Sequence, residues 1–229
     1  MTEMQLTAAD DHTFGAYRVE PTGTAKGAVI VIQEIFGVNG HIRSVADRVA
    51  EAGYVAVAPY LFDRVGPGIE LGYDAEGVER GRDVAWNLPL IDTMEDLRTT
   101  AADLAGEMGG ADRVGAVGFC YGGMLAAAMT SRVPRHFGAA VAYYPSMAAQ
   151  LLTKDQPHLP LLVHLGDTDA RVTPEDGRAL EARWPDATFH RYPAGHGFNC
   201  ELRPDFDEAA AALAWERTLA FLGDHLDAG

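Results

Sequence analysis

Arg113-Val-Gly-Ala-Val-Gly-Phe-Cys-Tyr-Gly-Gly123 is the stretch on which the reading of this chain turns. Its first half, Arg113 to Gly118, is a short apolar run of the kind that forms a strand buried on both faces. Its second half, Gly118 to Gly123, has the form G-x-nucleophile-x-G, with Cys120 where Ser is more usual, and opens a helix of small residues from Tyr121 onward. The glycines have a steric purpose, because side chains at Gly118 and Gly122 would collide with the neighbouring strand and helix. A helix N-terminus also favours a thiolate through its free N–H groups and dipole. Taken alone, the same letters fit a small core cysteine beside glycines that let a helix pack closely. The surroundings must decide.

Outward from this point, further continuous apolar runs predict strands at Gly27–Gln33, Tyr54–Pro59, Gly138–Tyr144, Leu159–His164 and Thr188–Tyr192. Helical spacing or composition predicts helices at about His41–Ala52, Glu79–Trp86, Met94–Met108, Pro174–Trp184 and Asp207–Leu222, with Leu61–Tyr73 a Gly- and Pro-containing loop. Strand and helix alternate throughout, which argues for an α/β fold with a mainly parallel sheet, right-handed crossovers and helices on both faces. No repeat or polar linker interrupts residues 1–229, so a single domain is expected.

Composition narrows the function classes. The chain has 229 residues, 48% hydrophobic and 22% charged, which excludes disordered, collagen-like and coiled-coil classes. With 33 acidic against 18 basic residues the formal net charge is -15, a surface that repels nucleic acid and anionic membranes. The segment Met1–Asp11 does not resemble a secretory signal, and no apolar run approaches a membrane span. Two cysteines in unrelated contexts, Cys120 and Cys200, suit a reducing compartment. A soluble, cytoplasmic protein is the expectation. H-E-x-x-H, paired C-x-x-C, P-loop and G-x-G-x-x-G patterns are absent, so neither metal nor organic cofactor is expected.

Two later sites supply the context for Cys120. Leu165-Gly-Asp-Thr-Asp-Ala-Arg-Val172 follows a predicted strand and puts carboxylates at a strand's C-terminal end, where ligand sites of open α/β sheets gather. Pro193-Ala-Gly-His-Gly-Phe198 follows the next strand and sets His196 on a Gly-flanked turn. The order Cys120, Asp169, His196 is the nucleophile, acid, base order of α/β-hydrolases. Asp167 competes with Asp169 as the acid. His164 and His190 compete with His196, but each falls inside a strand pattern, where a packed histidine is expected. A fourth site, Gln33-Glu-Ile-Phe-Gly-Val-Asn39, lies beyond the first buried strand. In such folds this loop donates one oxyanion-hole N–H and the residue after the nucleophile the other, which points to Ile35 and Tyr121. Glu34 is unusual there. Beside Ile35 and Phe36 its carboxylate must find a partner or stay partly protonated, unless it is an ordinary surface residue at a strand end.

Taken together, Gln33–Asn39, Gly118–Gly123, Gly166–Asp169 and Gly195–Phe198 resemble the dienelactone hydrolase family, also called carboxymethylenebutenolidases. The resemblance implies hydrolysis of a small-molecule ester or lactone through a thioester, with Cys120 as nucleophile, Asp169 as acid, His196 as base, and Ile35 with Tyr121 as oxyanion donors. It further implies that Glu34 holds the resting thiol and takes up its proton when an anionic substrate binds. The chain departs from the family where an Arg is expected four residues beyond the histidine: Cys200 stands there, with Arg203 three residues on. A second substrate arginine is expected in the helix before Trp86, where Arg80 and Arg82 are both candidates. A broad esterase, thioesterase or peptidase on the same fold, or a non-catalytic thiol-bearing ligand-binding protein, are the alternatives. The oligomeric state is not legible.

Overall fold

The computed structural model describes residues 1–226. Two strands open the chain, β1 (Thr2–Thr7) and β2 (Thr13–Val19), followed by β3 (Ala28–Ile32), helix α1 (Gly40–Glu51) and β4 (Val55–Pro59). Two helices come next, α2 (Ala75–Asn87) and α3 (Leu90–Met108). Then β5 (Val114–Phe119), α4 (Tyr121–Arg132), β6 (Ala139–Tyr143) and the single turn α5 (Ala148–Leu151) follow. The chain continues through β7 (Leu161–Gly166), α6 (Pro174–Arg183), β8 (Thr188–Tyr192) and α7 (Glu208–Leu226).

All eight strands form one sheet in the order β1-β2-β4-β3-β5-β6-β7-β8. The β1–β2 and β2–β4 pairs are antiparallel, and every pair from β4 to β8 is parallel. The continuous apolar runs have a direct cause. In β3, Ala28, Ile30 and Ile32 join one core, with Leu97 and Leu104 of α3, Met124 of α4 and Leu180 of α6. Val29 and Val31 face the other core, beneath Ile42, Val45 and Val49 of α1 and Leu222 of α7. With both faces covered, neither set of alternate residues can be polar. The fold is that of an α/β-hydrolase.

Differences from the sequence reading lie at ends and edges. Strands β1 and β2 were not foreseen, because β1 is an edge strand with Leu6 as its one buried residue and gives little alternation to read. Helix α2 starts at Ala75, four residues before the expected Glu79, because the Asp74 side chain caps it by accepting from Gly77 N–H at 2.8 Å. Helix α3 begins at Leu90, directly after Pro89. Strand β7 is shifted two residues toward the C-terminus of its predicted span.

The turn from β5 into α4 is a tight junction. A Cβ on Gly122 would lie 2.3 Å from the Ile32 carbonyl oxygen and 2.5 Å from that of Gln33. Helix α4 therefore rests its first turn directly on the end of β3. Gly122→Ala should lower stability by about 1–3 kcal/mol through overpacking, read as a drop in thermal midpoint. An unchanged midpoint would mean that α4 can slide away from β3 at no cost.

Candidate active site

Cys120, Ser146, Asp169 and His196 all lie just beyond the C-terminal ends of parallel strands, β5, β6, β7 and β8 respectively. This is the edge of an open α/β sheet where ligand sites gather. Cys120 is the N-cap of α4 and has φ 54° and ψ -110°, a conformation costly for any residue with a Cβ. Three backbone hydrogen bonds hold it: its N–H donates to Tyr143 O at 3.0 Å, and its carbonyl accepts from Met124 and Ser146 N–H, each at 3.1 Å. Tyr121 is the first residue of α4, so its N–H has no acceptor inside the helix.

His196 sits on the turn after β8 and is 7% exposed. Its Nδ1–H donates to Asp169 Oδ2 at 2.8 Å. The other Asp169 oxygen accepts from the N–H groups of Arg171 at 2.6 Å and Val172 at 2.9 Å, which fixes the carboxylate from behind. Asp167 is exposed and pairs with Arg191 instead. Burial opposes the charged imidazole, but the negative charge of Cys120 once it has lost its proton, together with the Asp169 carboxylate, outweighs it and raises His196 above its ordinary value. His164 is a packed core residue, bonded through Nδ1 to Tyr192 Oη at 2.8 Å and through Nε2 to Thr218 Oγ1 at 3.1 Å. Burial, with the nearby charges of His190 and Arg217, holds it well below its ordinary value. His190 stacks on His164 with ring centroids 6.0 Å apart.

Glu34 is fully buried, not a surface residue at a strand end, and both of its oxygens are engaged. Arg203 Nη1 donates to Oε1 at 3.3 Å and Tyr73 Oη donates to Oε2 at 3.0 Å. Tyr73 in turn accepts from Asn39 Nδ2 at 3.2 Å, and the Arg203 guanidinium lies over the Tyr73 ring, 5.7 Å from its centre. Among the described residues, Glu34, His41 and Cys200 offer donor atoms within 4.8 Å of one another, the one group with a metal-binding side-chain set. Both Glu34 oxygens are taken, and the positive group bonded directly to it is the Arg203 guanidinium.

These residues open onto a cleft of about 120 Å³. Ile35, Phe36, Val78, Trp86 and Met147 form its apolar wall, and Cys120, Ser146 and His196 its reactive side. Arg82, Arg171 and Arg203 line the remainder, with no acidic side chain among the lining residues. The structure thus separates the two candidates on α2. Arg82 faces the cleft, whereas Arg80 is exposed and outside it. Arg203 reaches the cleft and also neutralises Glu34. Cys200 is fully buried behind this arrangement as a free thiol.

Ser146, Arg171, Tyr73 and His41 were not singled out from the sequence. Arg171 stood inside the quoted Leu165–Val172 run and its charge was the available signal. Ser146, Tyr73 and His41 reach the site from other loops and helices, with no local pattern to mark them.

A sequence profile of the dienelactone hydrolase family matches residues 14–226. A Synechocystis sp. protein provisionally named a carboxymethylenebutenolidase is 38% identical over 216 residues, covering 88% of this chain and 87% of that protein. The carboxymethylenebutenolidase of Pseudomonas putida is 33% identical over 229 residues, covering 96% and 94%. A crystal structure from Klebsiella pneumoniae subsp. pneumoniae MGH 78578, provisionally described as a dienelactone hydrolase, superposes with a TM-score of 0.84 at 26% identity, covering 97% and 98%.

The pair behind the cleft has a pH signature. Buried His41 Nδ1 lies 3.2 Å from Glu201 Oε2. Burial disfavours the His41 charge, yet hydrogen bonds with Cys200 and Glu201 and the charge of Glu34 raise it from 6.5 to about 9. Its bond to His41 is the largest influence on Glu201, which falls from 4.5 to about 2. The raised histidine contributes fully below 6.5 and loses its contribution as pH rises through about 9; the lowered carboxylate contributes above 4.5 and loses it as pH falls through about 2. The gap in thermal midpoint between wild type and His41→Gln should therefore be widest near pH 5–6 and narrow by about pH 9. A gap independent of pH would mean that His41 acts by packing alone.

Proposed function

The chain belongs to the dienelactone hydrolase family and is a carboxylic ester hydrolase, and from this premise we propose that it opens small acid-bearing esters or lactones with Cys120 as nucleophile. The observation that carries the proposal is the 2.8 Å bond from His196 Nδ1 to buried Asp169, in the same cleft as a cysteine on a strained elbow. Asp169 accepts from Nδ1, so in the neutral ring Nε2 is the basic atom and faces the reaction. Cys120 gives up its proton to His196 and attacks the ester carbonyl, and the developing oxyanion is met by the N–H groups of Ile35 and Tyr121. His196 then gives its proton to the departing alkoxide. A water activated by His196 hydrolyses the thioester and frees the thiol.

The substrate class follows from charge. In a chain of net charge -15, a cleft with three arginines and no acid is a local reversal of sign. Guanidinium groups suit a carboxylate, which they bind through two parallel N–H···O bonds. A substrate carboxylate at Arg203 competes with Glu34 for the same guanidinium. The setting we propose is the cytoplasm, where reducing conditions keep Cys120 a free thiol.

Cys120→Ala should lower kcat/KM by about 10³ or more with the fold intact, and Asp169→Asn should cost about as much. Asp167→Asn should leave turnover near wild type. Full activity in Cys120→Ala would remove the nucleophile assignment, and a collapse in Asp167→Asn alone would move the acid to that residue.

Substrate preference is read from kcat/KM for an acid-bearing lactone against its methyl ester. The acid should be preferred, and Arg82→Ala, Arg171→Ala and Arg203→Ala should each reduce the preference by about tenfold, the worth of one charged hydrogen bond. Arg80→Ala should not. If the neutral ester is handled as well as the acid and no cleft arginine changes the ratio, the enzyme is a generalist esterase.

A further inference from the structure

Ser146 touches both of the groups that must exchange a proton. Its Oγ is 3.2 Å from Cys120 Sγ, whose thiol donates to it, and 3.5 Å from His196 Nε2. The second distance is of the loose kind that such contacts have before substrate tightens a site. Nothing about this placement is casual in backbone terms. Ser146 lies in the turn between β6 and α5, where Tyr144 has φ 35° and Met147 φ 65°, both left-handed values at residues other than glycine. Strain of this kind persists only where the surroundings enforce it, and it gathers at functional sites. Here the surroundings are the elbow itself. Cys120 O accepts from Ser146 N–H at 3.1 Å, and Tyr144 N–H is held by His164 O at 2.8 Å. One residue, Cys120, thus anchors the Ser146 backbone with its carbonyl and meets the hydroxyl with its sulfur.

We propose that Ser146 is a further catalytic residue, its hydroxyl carrying the proton between the Cys120 thiol and His196 Nε2. The neutral His196 ring, with its Nδ1–H given to Asp169, presents a lone pair at Nε2. The Cys120 S–H bond breaks and its proton passes to Ser146 Oγ, while the Ser146 O–H proton passes to Nε2. Sulfur keeps the electron pair with which it attacks the carbonyl carbon. The serine ends with the number of protons it began with, and no oxidant or other co-reactant takes part. The hydroxyl then donates to the thiolate it has created, a charge-assisted bond that stabilises the ion pair.

The inference rests on Cys120 being the nucleophile, and its test keeps the two apart. Single-turnover acylation by p-nitrophenyl acetate and alkylation by iodoacetamide are followed across pH, and acylation also in mixtures of H2O and D2O, for wild type, Ser146→Ala, Ser146→Thr and Cys120→Ala. Ser146→Ala should acylate and alkylate about tenfold more slowly at neutral pH and approach wild type at high pH, where hydroxide takes the thiol proton directly. Ser146→Thr, which keeps the hydroxyl, should restore most of the rate. Wild-type acylation should depend on the deuterium fraction with the curvature of two moving protons, and Ser146→Ala linearly, with one. A wild-type pH profile and wild-type curvature in Ser146→Ala would overturn the relay while Cys120→Ala, if inactive, upholds the nucleophile. Acylation that survives in Cys120→Ala, or an acyl group mapped by mass to Ser146, would overturn the nucleophile assignment and the relay with it.

Discussion

The candidate site is referred to one backbone strain, that of Cys120 at φ 54° where β5 turns into α4. The turn is tight enough that only glycine fits against the β3 carbonyls at position 122. That contact locks α4 to β3, and β3 in turn ends in the loop bearing Glu34 and Ile35. The same Cys120 carbonyl holds the Ser146 turn. Side chains far apart in sequence are thus measured from a common origin. The strain is offset by two apolar cores that clamp the sheet from both faces.

The second theme is buried charge. A carboxylate with no solvent exposure is tolerable only when its lone pairs are met, and Glu34 is met by a guanidinium and a phenol. Arg203 therefore has two faces, one to the protein's own carboxylate and one to the cleft. In a chain so acidic overall, the long-range field does not draw anions in. Screening over about 10 Å lets the short-range field of the arginines govern binding once a ligand has arrived.

The sequence carried the parts of this architecture that are local. The parallel strands were legible as apolar runs, and Cys120, Asp169 and His196 because each stands in a Gly-containing strand-end context that narrows its conformation. Asp167 could be separated from Asp169 only in three dimensions, by which carboxylate the His196 ring meets. Arg80 and Arg82 differ by two positions on one helix, and which faces the cleft depends on how α2 leans on the Ile35 loop, whose carbonyl a Cβ on Gly81 would meet at 2.2 Å. Ser146, His41 and Tyr73 were illegible for a related reason: their meaning lies in contacts across 26 residues or more, with no spacing rule to signal them. Strand β1 escaped because an edge strand with one solvated face needs few apolar residues.

Asn39 joins the scaffold to the chemistry in a way that constrains how this chain can change over generations. Its Oδ1 accepts from Ile42 N–H at 3.3 Å and starts α1, while its Nδ2 donates to Tyr73, the phenol that holds Glu34. Aspartate or serine would begin the helix about as well. Aspartate, however, has no N–H to give, and serine's single hydroxyl cannot reproduce the span of an amide that faces two ways. Helix initiation and the orientation of a buried carboxylate, separable tasks in most folds, are here inherited as one trait, so drift at this position is judged twice.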